Sequence, residues 1–362
     1  MTAYSSSFAT YAEPAQSLAL KDHEYPACAL CGQRTTSPLV VRKGFQVVRC
    51  RTCSLVYVSP RPRRQREIDA LYTNRKYSTG QVSHAINASR MREARWRLDQ
   101  VEKQAPARGR LLDVGCSAGS FLLAARDRGW DVQGIDVSPD AVEHAAEVHG
   151  LDVRVATLED ARFPAGSFDV ITLFECIEHM LHPSRALDAA GALLTDGGLL
   201  VITTPNVDGF VPRSTYQLLG RTIGAWEHPT PPHHLYQFSR RTLEAMLRKT
   251  GFTVVSCGTR PMGLKYTVKQ LQSAIIEALG RRIPRASNAS RVGTGAAVAT
   301  LPPGSTSPDR WWPSRGRRLM AALSRKVARK VLGGFCWALG LALYALPVHR
   351  FAGDSMIVVA RK

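Results

Sequence analysis

From residue 110 onward, two hydrophobic periods alternate along the chain. Short apolar runs, "RLLDVG", "DVQGIDVS", "LDVRVAT", "FDVITLF" and "GGLLVITTP", have the length and β-branched content of buried strands. Between them, "GSFLLAARDRG", "PDAVEHAAEVHG" and residues 184–194 carry apolar positions at helical spacing. Alternating strands and helices predict an α/β fold, a parallel sheet with helices on both faces. A further helix, "RRTLEAMLRKTG", and two β-rich runs, "FTVVSCG" and "DSMIVVARK", follow, the last two separated by an insertion.

The flanks have a different pattern. Residues 1–24 read as a flexible lead-in, and 25–60 as short strands between two cysteine pairs. A basic helical linker, 61–108, contains "EIDALY" and "MREARWRLDQVEKQ", with Tyr72 and Tyr77 either closing over a ligand or exposed on the helix surface. The core then occupies 109–264 and 352–362, and 265–351 forms a basic, apolar insertion. Its stretch 284–310, rich in Ser, Pro, Gly and Ala, is predicted to be disordered.

The first strand of the core ends in Asp113-x-Gly115-x-x-x-Gly119, followed at once by a helix. Glycines there let the backbone turn sharply and approach a ligand at the carboxyl end of a strand. Asp136, 21 residues after Gly115, ends the next strand and can accept both hydroxyls of a ribose. A dinucleotide site of the dehydrogenase type needs a denser GxGxxG, which "GCSAGS" lacks.

Together with "GIDVSPDAV", "FPAGSFDVITLFECIEHM" and "LLTDGGLLVITTPN", this loop closely resembles the class I S-adenosylmethionine-dependent methyltransferases. The resemblance implies a seven-stranded Rossmann-like sheet and S-adenosylmethionine as cofactor. It places the methionine moiety on Asp113, Gly115, Cys116 and Gly119, the ribose on Asp136 and Val137, and the adenine beside Leu158 and Glu159. Phe174 would open the loop next to the sulfonium.

That loop reads "FECIEHM". Glu175, Glu178 and His179 stand at i, i+3 and i+4, so one helical turn would align them. The stretch resembles the E-x-x-E-H of ubiquinone-pathway O-methyltransferases and of small-RNA 2′-O-methyltransferases. The resemblance implies a divalent metal (Mg2+ or another) held by these three residues and a later histidine, which His234 in "HPTPPHHLYQFSRRTLEAML" matches. Such a cation would acidify and orient an acceptor hydroxyl. Without it, His179 or His234 could act as general base, or the cluster could simply shape the helix start.

Cys28-x-x-Cys31 and Cys50-x-x-Cys53, 18 residues apart, have the spacing of a structural zinc site. The run "CRTCSLVYVSPRP" resembles the leader module of bacterial methyltransferases of polysaccharide and glycolipid synthesis. A zinc module also precedes the sugar C-methyltransferases, although their further C-terminal domain is not recognisable here.

Charge and hydropathy then narrow the setting. A net charge of +19 points to an anionic partner. The 18-residue uncharged run 331–348, preceded by Arg- and Lys-rich sequence, predicts a membrane-surface segment rather than a simple span. A simple span would strand the last core strand on the wrong side of the bilayer. The N-terminus lacks a basic segment followed by an apolar core, which predicts a cytoplasmic protein peripheral to the inner face of the plasma membrane. The expected function is O-methylation of a hydroxyl on a sugar, polysaccharide or glycolipid acceptor. The alternatives are C-methylation of a nucleotide-linked sugar, RNA methylation, or an inactive zinc-dependent nucleic-acid-binding protein.

Overall fold

A computed structural model describes residues 22–73, 86–105, 107–224, 226, 228–261, 267–268, 272, 334 and 353–362. The chain divides into two compact units, one of 1–263 with 346–362 and one of 264–345. Almost all of the second unit, including 284–310 and the apolar run 331–348 apart from Gly334, lies outside the described residues, as does Tyr77. No described helix is long and apolar enough to cross a membrane.

The first unit opens with five short strands, β1 (His23–Glu24), β2 (Thr36–Arg42), β3 (Phe45–Cys50), β4 (Val56–Val58) and β5 (Arg61–Pro62). Helices α1 (Gln65–Thr73) and α2 (Ala88–Glu102) follow. The alternating region gives β6 (Arg110–Val114), α3 (Ser120–Asp127), β7 (Asp131–Asp136), α4 (Pro139–His149), β8 (Val153–Val155), β9 (Phe168–Phe174), α5 (Pro183–Leu193) and β10 (Leu194–Pro205). Beyond it come α6 (Phe210–Thr215), a π-turn and the short α7 (Arg221–Ile223), then β11 (Tyr236–Gln237), α8 (Arg240–Lys249), β12 (Thr253–Arg260) and β13 (Ser355–Arg361).

The seven-stranded sheet has the order β12-β13-β10-β9-β6-β7-β8. Strands β8, β7, β6, β9 and β10 run parallel, whereas β13 is antiparallel to both its neighbours. The final strand therefore returns into the sheet, as "DSMIVVARK" predicts. Strand β9 is buried at six of seven positions, the pattern of a strand covered on both faces. From β6 the chain first adds β7 and β8 on one side, then crosses to add β9 and β10 on the other. That reversal opens a crevice at the carboxyl ends of β6 and β9, where open α/β sheets bind ligands.

Sequence explains the helix boundaries. Helix α3 starts directly after Gly119, whose φ of 82° suits a residue without Cβ. Pro139 occupies the first turn of α4, and Gly150 at φ 60° ends it. A capping box between Ser239 and Thr242 fixes the start of α8.

A second sheet, β11-β4-β3-β2, joins the cysteine-bearing segment to the core: Tyr236 pairs with Tyr57, and Gln237 with Val56. One apolar cluster contains Cys28, Leu55 and Tyr57 together with Leu112, Leu173 and Phe238.

Candidate active site

Backbone geometry builds the crevice floor. Gly115 turns at φ 76°, and the amides of Gly115 and Cys116 both donate to the Ile135 carbonyl, at 2.8 and 3.1 Å. A Cβ on Gly115 would lie 3.0 Å from Cys176 Sγ, and one on Gly119 2.3 Å from Leu151 Cδ1. Asp136 ends β7 with both carboxylate oxygens held, Oδ2 by the Ser117 amide and Oδ1 by the Ser138 amide, each at 2.8 Å. These bonds orient an acid at the mouth of a cavity of about 250 Å³.

Gly115, Asp136, Val137, Leu158, Glu159, Glu175 and His179 line that cavity. Other expected cofactor residues stand behind it. Asp113 is buried, accepts a 2.7 Å hydrogen bond from Thr172 Oγ1, and is pushed up to about 7 by burial. Cys116 packs toward Gly134 under the loop, and Gly119 caps α3. Phe174 meets Phe121 edge-to-face at 4.8 Å. The glycine turn, an open position above it and a fixed acid at ribose distance fit an adenosyl cofactor with an amino-acid tail.

The "FECIEHM" stretch does not form the single helical turn that its spacing suggests. Glu175 sits in the left-handed region at φ 53°, and its amide donates to the Thr203 carbonyl at 2.9 Å. Only Ile177–His179 coil, as one turn of 3-10 helix. Glu178, His179 and His234 therefore come together, with ligating atoms all within 4.8 Å of one another, and Glu175 lies outside this group.

Long-range bonds hold the three in place. Glu178 is 1% exposed; its Oε2 accepts from Thr204 Oγ1 at 2.9 Å. Its Oε1 is buried without a hydrogen-bond partner among the described residues and lies 3.8 Å from His179 Nε2. His179 Nδ1 is 2.8 Å from the His233 carbonyl; a carbonyl only accepts, so Nδ1 carries the proton and Nε2 the lone pair. The His179 and His234 rings meet edge-to-face at 4.7 Å, and His234 Nδ1 is buried without a hydrogen-bond partner among the described residues. Burial and the Glu175 charge push the Glu178 carboxyl well above its ordinary range. Burial also pulls both histidines down, and His179 adds to this effect at His234. Neutral imidazoles beside a carboxyl oxygen with no hydrogen-bond partner among the described residues form a donor set suited to a divalent cation.

A family model described as a methyltransferase domain matches residues 86–257. A ubiquinone biosynthesis O-methyltransferase of Xanthomonas axonopodis pv. citri is 34% identical over 181 residues, covering 46% of this chain and 70% of that protein. The chain belongs to the S-adenosylmethionine-dependent methyltransferases. A second relative of the same description, from Xylella fastidiosa, is 39% identical over 132 residues, covering 34% of the methyltransferase and 50% of the relative. A solved S-adenosylmethionine-dependent methyltransferase from Archaeoglobus fulgidus is similar at TM-score 0.42 and 15% identity, covering 75% of this chain and 94% of that one.

The four N-terminal cysteines of the methyltransferase converge as their spacing predicts. Cys28 and Cys53 sulfurs lie 3.4 Å apart, and those of Cys31 and Cys50 3.5 Å apart. Tight turns present them, with Gly32 at φ 75° and Ser54 at φ 68°. Burial raises Cys28 to about 11; at Cys50 the amides of Cys53 and Thr52 overcome burial and bring it to about 7. A cation would replace these mixed thiols with four thiolates, as a tetrahedral zinc site requires. Lys249 Nζ donates to the Leu30 carbonyl at 2.9 Å and Ser184 Oγ to the Ala29 carbonyl at 3.2 Å, fastening the first knuckle to α8 and α5.

Several residues of the methyltransferase site carry no local motif. Arg97 of α2 lies over the Phe174 ring at 4.8 Å, and its charge opposes the upward shifts of Asp113 and Glu175. Its guanidinium pairs with Glu93 one turn earlier, at 3.1 Å. Leu235 links two regions: its amide donates to the Glu178 carbonyl at 2.8 Å, and its carbonyl accepts from Val58 of β4 at 2.9 Å. His228, 2% exposed, stacks on Trp226 with neither ring nitrogen hydrogen-bonded among the described residues.

Proposed function

We propose that the chain transfers a methyl group from S-adenosylmethionine to a hydroxyl of a small-molecule acceptor, with a divalent cation held by Glu178, His179 and His234. The observation that carries this reading is the buried Glu178 oxygen, without a hydrogen-bond partner among the described residues and close to two neutral histidines. A cation bound there would lower the pKa of the acceptor hydroxyl and supply the charge that the buried carboxylate needs. Asp136 binds the ribose, and the Gly115–Gly119 loop cradles the amino-acid part. Thr204 holds Glu178 in one orientation, and His233 fixes the His179 tautomer. The cysteine cluster takes a structural zinc ion.

O-methylation is favoured by the description of the Xanthomonas and Xylella relatives, which makes a phenolic hydroxyl one candidate. The second candidate is a sugar or glycolipid hydroxyl, suggested by the cysteine module, which lies before the part matched by the family model. Labelled methyl donor offered with polyprenyl phenols in one arm and a cell-envelope extract in the other separates them. In either arm, transfer should stop on chelation and return with added divalent cation. Full activity after chelation, or in Glu178→Gln and His234→Ala, refutes the metal assignment.

A further inference from the structure

The wall of the cofactor cavity is not made by the methyltransferase core alone. Gln65, Ile68 and Asp69 of α1 line it, together with the segment Ala156–Glu159 that follows β8. Helix α1 begins three residues after β5 and precedes the part matched by the family model. Ile68 is 1% exposed and belongs to the same apolar cluster as Leu55, Tyr57 and Leu158, so the helix is anchored on both the cysteine module and the core.

Gln65 fixes the polar face of this helix. Its Oε1 accepts from the Leu181 amide at 3.0 Å, and its Nε2 donates to Asp69 Oδ1 at 2.8 Å, one turn further on. Asp69 is thus held at the cavity by a side chain that is itself tied to the loop after "FECIEHM". Its carboxyl is pushed up by burial, Gln65 works against that, and the charge of Asp160 adds to it. Asp160 directly follows Leu158 and Glu159, and its charge is felt at Asp69, so Asp69 stands at the Ala156–Glu159 end of the cavity. Asp136, which also lines the cavity, takes the ribose. The group that reaches Asp69 from there is the adenine base, whose exocyclic amine is a donor for a half-buried carboxylate acceptor.

We propose that Asp69 is a cofactor-contacting residue that accepts a hydrogen bond from the adenine amine, so that the helix following the cysteine module supplies part of base recognition. A carboxylate at this point favours adenine over a base with a carbonyl in the same place, because the carbonyl would set acceptor against acceptor.

Calorimetric titration of the full chain with S-adenosylhomocysteine and with its inosine analogue tests this. The wild type should bind the adenosine form at least tenfold more tightly. Asp69→Asn keeps the oxygen that Gln65 needs but places an amide donor at the cavity. It should weaken the adenosine form about tenfold and bring the two ligands within about twofold. Asp69→Ala should weaken the adenosine form similarly without improving the inosine form, and Arg66→Gln, on the exposed side of α1, should match the wild type. An unchanged preference ratio in Asp69→Asn overturns the proposal whatever the absolute affinities, and so does wild-type affinity in a folded Asp69→Ala.

Discussion

Replacing Asp113 by asparagine should change how stability depends on pH. Asp113 is 3% exposed at the end of β6, and burial lifts its carboxyl from 3.8 to about 7 despite the bond from Thr172. Between these values the folded chain holds a proton that the unfolded chain has released. Stability contributed by Asp113 is therefore greatest below pH 3.8 and is lost as pH rises toward about 7. A shift of that size corresponds to about 4 kcal/mol over the whole window, of which roughly 2–3 kcal/mol falls between pH 5 and 8. Asparagine keeps the oxygen that accepts from Thr172 and does not titrate. Urea unfolding of the cofactor-free protein at pH 5, 6, 7 and 8 should show the wild type losing roughly 2–3 kcal/mol more than Asp113→Asn over that range. The variant should be the more stable of the two at pH 8. Parallel profiles would refute the reasoning, because other buried acids contribute equally to both proteins and only Asp113 differs.

His228 titrates with the opposite sign: burial lowers it from 6.5 to about 4, so its contribution is lost as pH falls through that window. His228→Phe, which preserves the stack on Trp226, should make the protein about 3 kcal/mol less sensitive to acid between pH 6.5 and 4, measured by unfolding at both limits. Thr204→Val removes the donor to Glu178 Oε2; a loss of about 1–3 kcal/mol in stability and weaker divalent-cation binding are expected, and unchanged cation affinity would argue against that carboxylate as a ligand. Disrupting the cysteine cluster, by chelation of a bound cation or by Cys50→Ser, should lower Tm in a single transition and abolish cofactor binding together with it. A separate early transition that leaves cofactor affinity intact would show the module to be independent of the core.

Much of the architecture is legible in the linear pattern. Runs such as "FDVITL" cannot be half-exposed, and their alternation with amphipathic segments dictates a parallel sheet. The glycine loop and Asp136 are legible because both lie where one strand ends and the next element begins, so local backbone rules fix them. The cysteines are legible because each pair is bound by a tight turn and the pairs need only one short excursion between them. The Glu175 spacing shows where such reading stops. Its i, i+3, i+4 arithmetic assumes a continuous helix, but the Thr203 carbonyl on the neighbouring strand binds the Glu175 amide and turns the backbone left-handed.

The sequence by itself determined the parts governed by neighbours in the chain: strands, helices, caps, the cofactor loop and the thiol pairs. Only the tertiary structure decided which side chains share a site. Glu178 and His234 meet because Leu235 bridges Glu178 to β4, and Gln65 and Asp69 reach the cavity because α1 packs through Ile68. These partners are separated by tens of residues and follow no period. Their proximity is set by burial of apolar surface between the two sheets, and that energy depends on three-dimensional contact rather than on spacing along the chain.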